Sequence, residues 1–146
     1  MLEQFLPKKH LQRIEKIASW EEAVKLCAIP LLNEKIIEPR YLDNIFRLYD
    51  ELGAYFVIAP QIAMPHARPE DGAIETGLSL LVVSSGVNFG SDENDPVHLI
   101  VMLAAKDSTA HLSVLSELAE LLGDDDKVQQ IIGAETIDEI FSLINK

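Results

Sequence analysis

The sequence predicts an α/β fold built around one central β-sheet, and three observations support this. Two nearly continuous apolar runs, Thr76–Val83 and Val97–Ala104, are typical of strands that are covered on both faces. Segments with helical apolar spacing lie before and after these runs, an alternation typical of layered α/β domains. The chain of 146 residues has the usual size of one domain and shows no internal repeat or linker, so one domain is expected over residues 1–146.

Two helices are predicted in the first third of the chain. Ser19 and Glu22 have the spacing of a capping box, in which each side chain accepts a hydrogen bond from the backbone of the other residue. A helix is therefore expected over Trp20–Leu32. Pro39 suits the first position of a second helix, and Gly53 suits its end.

The middle of the chain is predicted to supply strands. Ala54–Ile58 is short, aromatic and β-branched, which favours a further strand before the two apolar runs. Ser84–Pro96 is rich in Gly, Ser, Asn and Asp, and we expect it to form the loop between those runs.

Three helices are predicted in the last third. Ser108 is expected to cap a helix that continues to Leu122 and ends at Gly123. A short helix is expected around Val128–Ile132, and a second capping box at Thr136 opens a terminal helix. The apolar side of the first of these helices is predicted to consist of Leu112, Leu115, Leu118, Ala119 and Leu122.

Composition narrows the function classes. The formal net charge of −12 repels phosphate backbones and anionic lipids, so neither nucleic acid nor a membrane surface is expected as a partner. The acidity is explained equally by solubility or by partners with basic docking faces.

Cys27, the single cysteine, falls in a helical apolar pattern and is expected in the core. The longest apolar run, Leu99–Ala105, is too short to span a bilayer, and no signal peptide opens the chain, which predicts a cytoplasmic protein.

His66 is the first candidate for a reactive group. Near neutral pH an imidazole is mostly unprotonated, which makes it a nucleophile suited to a covalent intermediate. Pro65 and Pro69 stiffen the loop around His66, and Ala67 leaves room beside the ring. From this pattern alone, a surface histidine in a proline-rich turn is the more frequent outcome.

The other three histidines have different surroundings. His111 falls in the first turn of the helix predicted from Ser108, where free N–H groups and the helix dipole attract anions such as phosphate. A helix-surface histidine without a role explains that position equally. His98 alternates with apolar neighbours and is expected to be partly buried with its hydrogen bonds satisfied, whereas His10, beside two lysines, is expected to be solvated.

No metal or cofactor site is predicted. No two histidines are spaced i, i+4, and Cys27 has no neighbouring ligand, although a site built from His66, His98 and His111 stays open in three dimensions. Neither a G-x-S-x-G motif nor a phosphate-binding P-loop occurs.

A resemblance to a known family favours a reactive role for His66 over that of an ordinary surface histidine. The segment Ala63–Ala67, preceded by Leu52-Gly53 and an apolar strand, resembles the active-site motif of the mannitol/fructose-type enzyme IIA domains (EIIA type 2) of the bacterial sugar phosphotransferase system (PTS). Further similar segments follow in the same order: Gly86–Gly90, Pro96–Ile100 with Leu103–Ala105, and His111–Leu115. The resemblance covers nearly all of the chain and implies a single mixed sheet with helices on both faces.

The resemblance also implies a phosphotransferase mechanism without a cofactor. Family members accept a phosphoryl group from the small carrier HPr on the histidine of the motif, here His66. They pass it to an enzyme IIB, which acts with the membrane enzyme IIC. The second histidine, here His111, is implied to stabilise the phosphorylated state.

One departure from the family points to a branch. The mannitol and fructose branches carry an arginine upstream of the active histidine, where this chain has Asp50, with Arg47 one turn earlier. Arg68 is a candidate phosphate contact because it follows His66 closely. Four segments resemble the ascorbate-type proteins and imply uptake of L-ascorbate: Glu38–Tyr41, Tyr55–Pro60, Pro65–Glu70 and Glu93–Val97. Another sugar such as mannitol or fructose, a regulatory module controlled by phosphorylation, and a metal-binding protein remain as alternatives.

Overall fold

A five-stranded mixed sheet forms the centre of the computed structural model, which describes residues 2–145. Its strands are β1 (Leu11–Ile14), β2 (Val57–Ala59), β3 (Ile62–Ala63), β4 (Gly77–Val87) and β5 (Val97–Ala104). Their order across the sheet is β1-β4-β5-β3-β2. The central pair β4 and β5 is antiparallel, β1 joins β4 and β3 joins β5 in parallel, and β2 is antiparallel to β3. The predicted mixed sheet is confirmed.

Helices cover both faces of the sheet. They are α1 (Trp20–Asn33), α2 (Pro39–Leu52), α3 (Ser108–Leu122), α4 (Asp125–Gly133) and α5 (Ile137–Ile144). Because side chains alternate along a strand, Leu81 and Ile100 pack on the α1 and α2 side, whereas Leu80 and Val101 pack on the side of α3, α4 and α5. Both faces of β4 and β5 are therefore buried, which explains their continuous apolar runs. No helix of residues 2–145 is long and apolar enough to cross a membrane.

Several predicted boundaries are confirmed by local hydrogen bonds. The Ser19 hydroxyl accepts from the Glu22 N–H at 3.2 Å at the start of α1. Pro39 is the first residue of α2, and Gly53 follows its end with a φ of 74°, a conformation that favours glycine.

Cys27 is fully buried, as predicted, and burial raises the pKa of its thiol to about 11.

The strand predictions need corrections. In the segment predicted as Ala54–Ile58 the strand begins only at Val57, because the preceding residues form the turn that follows α2. Strand β4 continues to Val87, so the loop predicted from Ser84 begins at residue 88. The extension is held by neighbouring backbone, since the Ser85 N–H donates to the Glu15 carbonyl at 2.9 Å. Strands β1 and β3 were not predicted.

Helix α3 differs from its prediction in its cap and its buried face. The N-cap is Asp107, whose carboxylate accepts from the Ala110 N–H at 2.8 Å, and Ser108 is the first helical residue. The residues of α3 that are buried are Val114, Leu118 and Leu121, and the Leu112 side chain is 67% exposed. Helix α3 is apolar on more than one side, so apolar spacing alone does not identify the face that meets the sheet.

The prediction of a solvated His10 is wrong. Its side chain is only 2% exposed, and its Nδ1–H donates to the Leu78 carbonyl at 2.8 Å. Its Nε2 lies 3.1 Å from the Glu34 carboxylate. His10 thus fastens the N-terminal segment to β4 and to the end of α1, through partners that are distant in sequence.

Candidate functional site

The loop that carries His66 leaves the sheet at the end of β3, and its first two residues are held by backbone hydrogen bonds. The Met64 N–H donates to the Phe56 carbonyl at 2.8 Å, and the Pro65 carbonyl accepts from the Leu103 N–H at 3.2 Å. Met64 and Pro65 are buried, whereas the His66 side chain is half-buried. This loop is therefore rigid where it leaves the sheet and exposes its histidine in part.

The tautomer of His66 follows from its hydrogen bond. Its Nδ1 lies 2.8 Å from the Met64 carbonyl oxygen, which can only accept, so Nδ1 carries the proton of the neutral ring. Nε2 is then the unprotonated nitrogen, with a lone pair available for nucleophilic attack. Of the two ring nitrogens, the arrangement leaves Nε2 as the one that is able to act as a nucleophile.

The surroundings of His66 favour this neutral form. Burial lowers the pKa of the ring below its ordinary value, and the nearby charge of His111 lowers it further, while the hydrogen bond to Met64 acts in the opposite direction. The ring consequently stays unprotonated at a pH at which an ordinary histidine begins to gain a proton.

His111 faces His66 from the first turn of α3. The two ring centroids are 6.2 Å apart, and both side chains line one pocket of about 500 Å³. The other lining residues, mostly apolar, are Leu48, Tyr55, Ala67, Arg68, Pro69, Ser108 and Leu112. Both rings therefore border a space that a phosphoryl group can enter.

The start of α3 offers fewer free N–H groups than the sequence analysis expected. The Ala110 N–H is bound by the Asp107 carboxylate, and the His111 N–H donates to the Asp107 carbonyl at 3.0 Å. The Asp107 carboxylate also sets a negative charge at this helix end. Polar contacts to an anion in the pocket are thus expected from side chains, including the Ser108 hydroxyl, more than from these amides.

Arg68 lines the pocket, but it already donates hydrogen bonds to the Asp71 carboxylate. Its Nε–H donates to the Asp71 carboxylate at 3.2 Å, and its backbone N–H donates to the same carboxylate oxygen at 3.0 Å. The Arg68 side chain is 64% exposed. Burial alone raises the pKa of Asp71, but the hydrogen bonds and charge of Arg68 outweigh this and lower it below its usual range. The Arg68 guanidinium is held at the rim of the pocket.

Helix α2 presents an apolar side chain to the pocket. Leu48 lines the pocket, whereas Arg47 points its guanidinium to Glu51 at 3.0 Å on the exposed surface. Asp50 is also exposed. Neither residue lines this pocket, so Arg68 is the arginine at its edge.

The remaining histidines lie outside the pocket. His98 is half-buried, and its Nδ1 lies 3.2 Å from the carbonyl oxygens of Val83 and Ser84, which confirms the predicted satisfied histidine. His10 is buried at the N-terminal segment, as described above. Within residues 2–145, no three His, Cys, Asp or Glu side chains converge in a way that holds a metal ion.

Two tyrosines beside His66 were not predicted as site residues. The Tyr55 hydroxyl donates to the His66 carbonyl at 2.5 Å, and the Tyr55 ring lies edge-on to the His66 ring with centroids 5.6 Å apart. The Tyr41 hydroxyl accepts from the Ala67 N–H at 3.0 Å. Both contacts join segments that are distant along the chain, so local sequence patterns give no signal for them.

Comparisons with known proteins point to one family. A sequence model of the family described as "Phosphoenolpyruvate-dependent sugar phosphotransferase system, EIIA 2" matches residues 4–146. The chain is 36% identical over 129 residues to the ascorbate-specific PTS system EIIA component of Escherichia coli K12, and the match covers 88% of this chain and 84% of that protein.

Solved structures share the fold. The solution structure of the mannitol-specific cryptic phosphotransferase enzyme IIA of Escherichia coli superimposes with a TM-score of 0.91 at 33% identity, covering 98% of this chain and 97% of that chain. The mannitol enzyme IIA of Escherichia coli, in its complex with phosphorylated mannitol enzyme IIB, gives a TM-score of 0.80 at 24% identity and covers 94% of each chain. This second likeness concerns the fold.

Proposed function

Because this chain belongs to the EIIA type 2 family of the phosphoenolpyruvate-dependent sugar phosphotransferase system, we propose that it carries a phosphoryl group on His66 and delivers it to an enzyme IIB for uptake of L-ascorbate. Components of this family are cytoplasmic phosphotransferases that carry phosphate on a histidine. We further propose that residues 1–146 form one EIIA type 2 domain.

One observation carries the assignment to His66. The hydrogen bond from Nδ1–H to the Met64 carbonyl at 2.8 Å leaves Nε2 unprotonated, and the ring lines a pocket shared with a second imidazole. No other histidine of residues 2–145 has both a tautomer fixed by a carbonyl acceptor and a second imidazole across a pocket. These features support His66 as the residue that accepts the phosphoryl group.

The chemistry follows from this tautomer. The Nε2 lone pair attacks the phosphorus atom carried by the donor, for which we propose HPr, and the bond between phosphorus and the donor breaks with its electron pair returning to the donor. The resulting N-phosphoimidazole keeps its proton on Nδ1 and bears positive charge on the ring. The Met64 carbonyl accepts a hydrogen bond from that Nδ1–H and stabilises the charged ring. Transfer to enzyme IIB reverses these steps with a nucleophile of the partner.

His111 and Arg68 are proposed to act on the phosphoryl group itself. A ring nitrogen of His111 can donate to a phosphoryl oxygen, since the centroids of the two rings are 6.2 Å apart. The Arg68 guanidinium, at the rim, supplies positive charge there while Asp71 fixes its position. Preorganised donors of this kind stabilise the charge that develops on the transferring group.

Partner and sugar are proposed from the relatives and from charge. A fold neighbour is solved as a complex of a mannitol enzyme IIA with its phosphorylated enzyme IIB, which supports an enzyme IIB as acceptor here. We propose that a membrane enzyme IIC acts downstream. The net charge of −12 favours a basic docking face on that partner. The ascorbate-specific relative, at 36% identity, supports L-ascorbate, and the mannitol-specific relative, at 33%, supports mannitol as the second candidate.

The sugar assignment is tested by offering the phosphorylated protein to ascorbate-type, mannitol-type and fructose-type enzyme IIB proteins side by side. We expect fast transfer to the ascorbate-type protein, with a rate that falls as salt screens the docking charges. Fast transfer to the mannitol-type or fructose-type protein, with none to the ascorbate-type, would overturn the sugar assignment and leave the phosphocarrier role intact.

A further inference from the structure

We propose that the hydroxyl groups of Tyr41 and Tyr55 clamp the peptide group between His66 and Ala67, and that both tyrosines are positioning residues for phosphoryl transfer. This inference rests on the proposed function of His66. Neither hydroxyl is assigned contact with the phosphoryl group, because each acts through the backbone that carries the imidazole.

The clamp consists of two hydrogen bonds to one peptide group. The Tyr55 hydroxyl donates to the His66 carbonyl at 2.5 Å, and the Tyr41 hydroxyl accepts from the Ala67 N–H at 3.0 Å. The carbonyl and the N–H of a single peptide plane are thus both held by side chains. Tyr41 lies on α2 and Tyr55 in the turn before β2, so two separate elements fix the orientation of this plane.

Tyr41 also connects the two histidine segments. Its hydroxyl lies 2.7 Å from the Leu103 carbonyl and 3.1 Å from the Ala67 carbonyl. A hydroxyl has one hydrogen to donate, and the shorter contact identifies Leu103 as its acceptor. Leu103 is near the end of β5, from which the chain leads directly to α3 and His111. One hydroxyl therefore links the loop of His66 to the strand that positions His111.

The Tyr41 side of the clamp is fully buried, and the Tyr55 side is half-buried. Tyr41 is 1% exposed, and burial raises the pKa of its hydroxyl to about 12, so it stays protonated and can donate at any physiological pH. Burial likewise raises the pKa of Tyr55. The buried bonds of Tyr41 have little competition from water, and losing the Tyr41 oxygen leaves the buried Ala67 N–H without this partner.

The clamp affects transfer because, among residues 2–145, the His66 imidazole has one hydrogen-bond partner. That partner, the Met64 carbonyl, belongs to the same loop, so the position of Nε2 depends on the backbone of residues 64 to 67. A small misplacement of reacting groups can cost about 10²-fold in rate. A peptide plane that rocks between orientations would also weaken the Nδ1–H bond that selects the tautomer.

The test compares Tyr41→Phe and Tyr55→Phe with the matched control Tyr49→Phe. The Tyr49 hydroxyl also donates to a backbone carbonyl, that of Phe89, at 2.6 Å, but its ring stacks on Trp20 and lies outside the His66 pocket. Two measurements are made on the folded variants: the rate of phosphoryl acceptance at saturating phosphorylated HPr, and the tautomer and titration of His66 by ¹⁵N NMR.

We expect each clamp variant to accept phosphate about 10-fold to 10²-fold more slowly at saturating donor, and the His66 ring to show a mixture of tautomers. Tyr49→Phe should match the wild type in both measurements, even where its thermal stability falls equally. Clamp variants that match Tyr49→Phe in rate and in tautomer would overturn the proposal. If Tyr41→Phe fails to fold, the Tyr55→Phe comparison decides in the same way.

The NMR measurement separates this inference from the proposed function. A wild-type protein that accepts no phosphate from HPr would contradict the phosphocarrier role, yet its His66 tautomer would still be measured. An unchanged tautomer in both tyrosine variants would then refute the clamp by itself, and a mixed tautomer would support it.

Discussion

The imidazole rings of His66 and His111 lie with their centroids 6.2 Å apart across one pocket, although one ring belongs to a loop after β3 and the other to the first turn of α3. Because β3 and β5 pair in parallel, the loop after β3 and the helix that follows β5 leave the sheet at the same edge, which brings these two segments together. One imidazole with a fixed tautomer and a second at this distance form the site that we propose to hold and release a phosphoryl group.

Replacing His111 by alanine is predicted to preserve acceptance of phosphate and to slow its transfer onward. The lost ring is the second imidazole of the pocket, and removing one preorganised donor near a reacting group commonly costs about 10²–10³ in rate. Transfer from the phosphorylated variant to enzyme IIB should be followed by quenched-flow measurements. A transfer rate equal to that of the wild type would reject this role for His111.

The pH dependence of phosphate acceptance should reflect the lowered pKa of His66. We expect the midpoint of its NMR titration to lie below the ordinary value of about 6.5, and acceptance of phosphate to persist below that pH. The free energy of unfolding should change in the same direction. At pH values between the pKa of His66 in the folded protein and its pKa in the unfolded chain, the unfolded state binds more protons. The contribution of His66 to stability is therefore complete above about pH 6.5 and is lost as the pH falls through the folded value.

A His111→Gln variant separates the two causes of this pKa shift. Because burial is the larger cause and the His111 charge the smaller, the midpoint of His66 should rise in the variant but remain below its ordinary value. A wild-type midpoint at or above the ordinary value would contradict the proposed protonation state.

Asp71→Asn should destabilise the protein at neutral pH and progressively less in acid. Asp71 is 7% exposed and accepts from the backbone and side chain of Arg68, contacts that lower its pKa, so its stabilisation is present above about pH 3.9 and is lost as the pH falls through the folded value. We expect a loss of about 1–3 kcal/mol in the free energy of unfolding at pH 7.

Urea unfolding of the Asp71 variant at several pH values checks this, with Asp50→Asn as the control. Asp50 is exposed, so its substitution should change the unfolding free energy by less than about 0.5 kcal/mol. A difference between wild type and Asp71→Asn that stays constant down to pH 3 would show that the carboxylate charge is not the cause.

Much of the architecture was predictable because it depends on short-range rules. The capping residues Ser19 and Thr136 stand where helices begin, and both accept from the backbone N–H three residues later. The apolar run Val97–Ala104 matches β5 residue for residue, since a strand buried on both faces leaves a strong signal. The prolines around His66 likewise indicated its loop. The helix of His111 ends before Gly123 as predicted, but its cap is Asp107 and not Ser108.

What escaped prediction depends on contacts between distant segments. Strand β1 has four residues with one buried, and β3 has only two residues, so neither carries a usable period. The partners of His10 are Glu34 and Leu78, while its sequence neighbours suggested solvent. The hydroxyl contacts of Tyr41 and Tyr55 belong to the same class, because side-chain bonds to distant backbone leave no local pattern.

The exposed Leu112 is predicted to contribute to docking of the partner proteins. It is 67% exposed beside His111 at the edge of the pocket. Leu112→Ser should raise the KM for phosphorylated HPr and for enzyme IIB about 10-fold, as expected when an apolar contact worth about 1.4 kcal/mol is lost, and leave the rate at saturation unchanged. Leu52→Ser is the control, because Leu52 is 62% exposed but lies outside the pocket.

Intact-mass analysis with localisation of the phosphoryl group tests the central claim most directly. Wild type, His66→Ala and the control His98→Asn are each mixed with HPr, the general phosphotransferase enzyme and phosphoenolpyruvate. We predict that wild type and His98→Asn gain one phosphoryl group, stable in base and labile in acid as phosphohistidine is, and that His66→Ala folds normally and gains none. Full labelling of His66→Ala, or a wild type that stays unlabelled, would contradict the account.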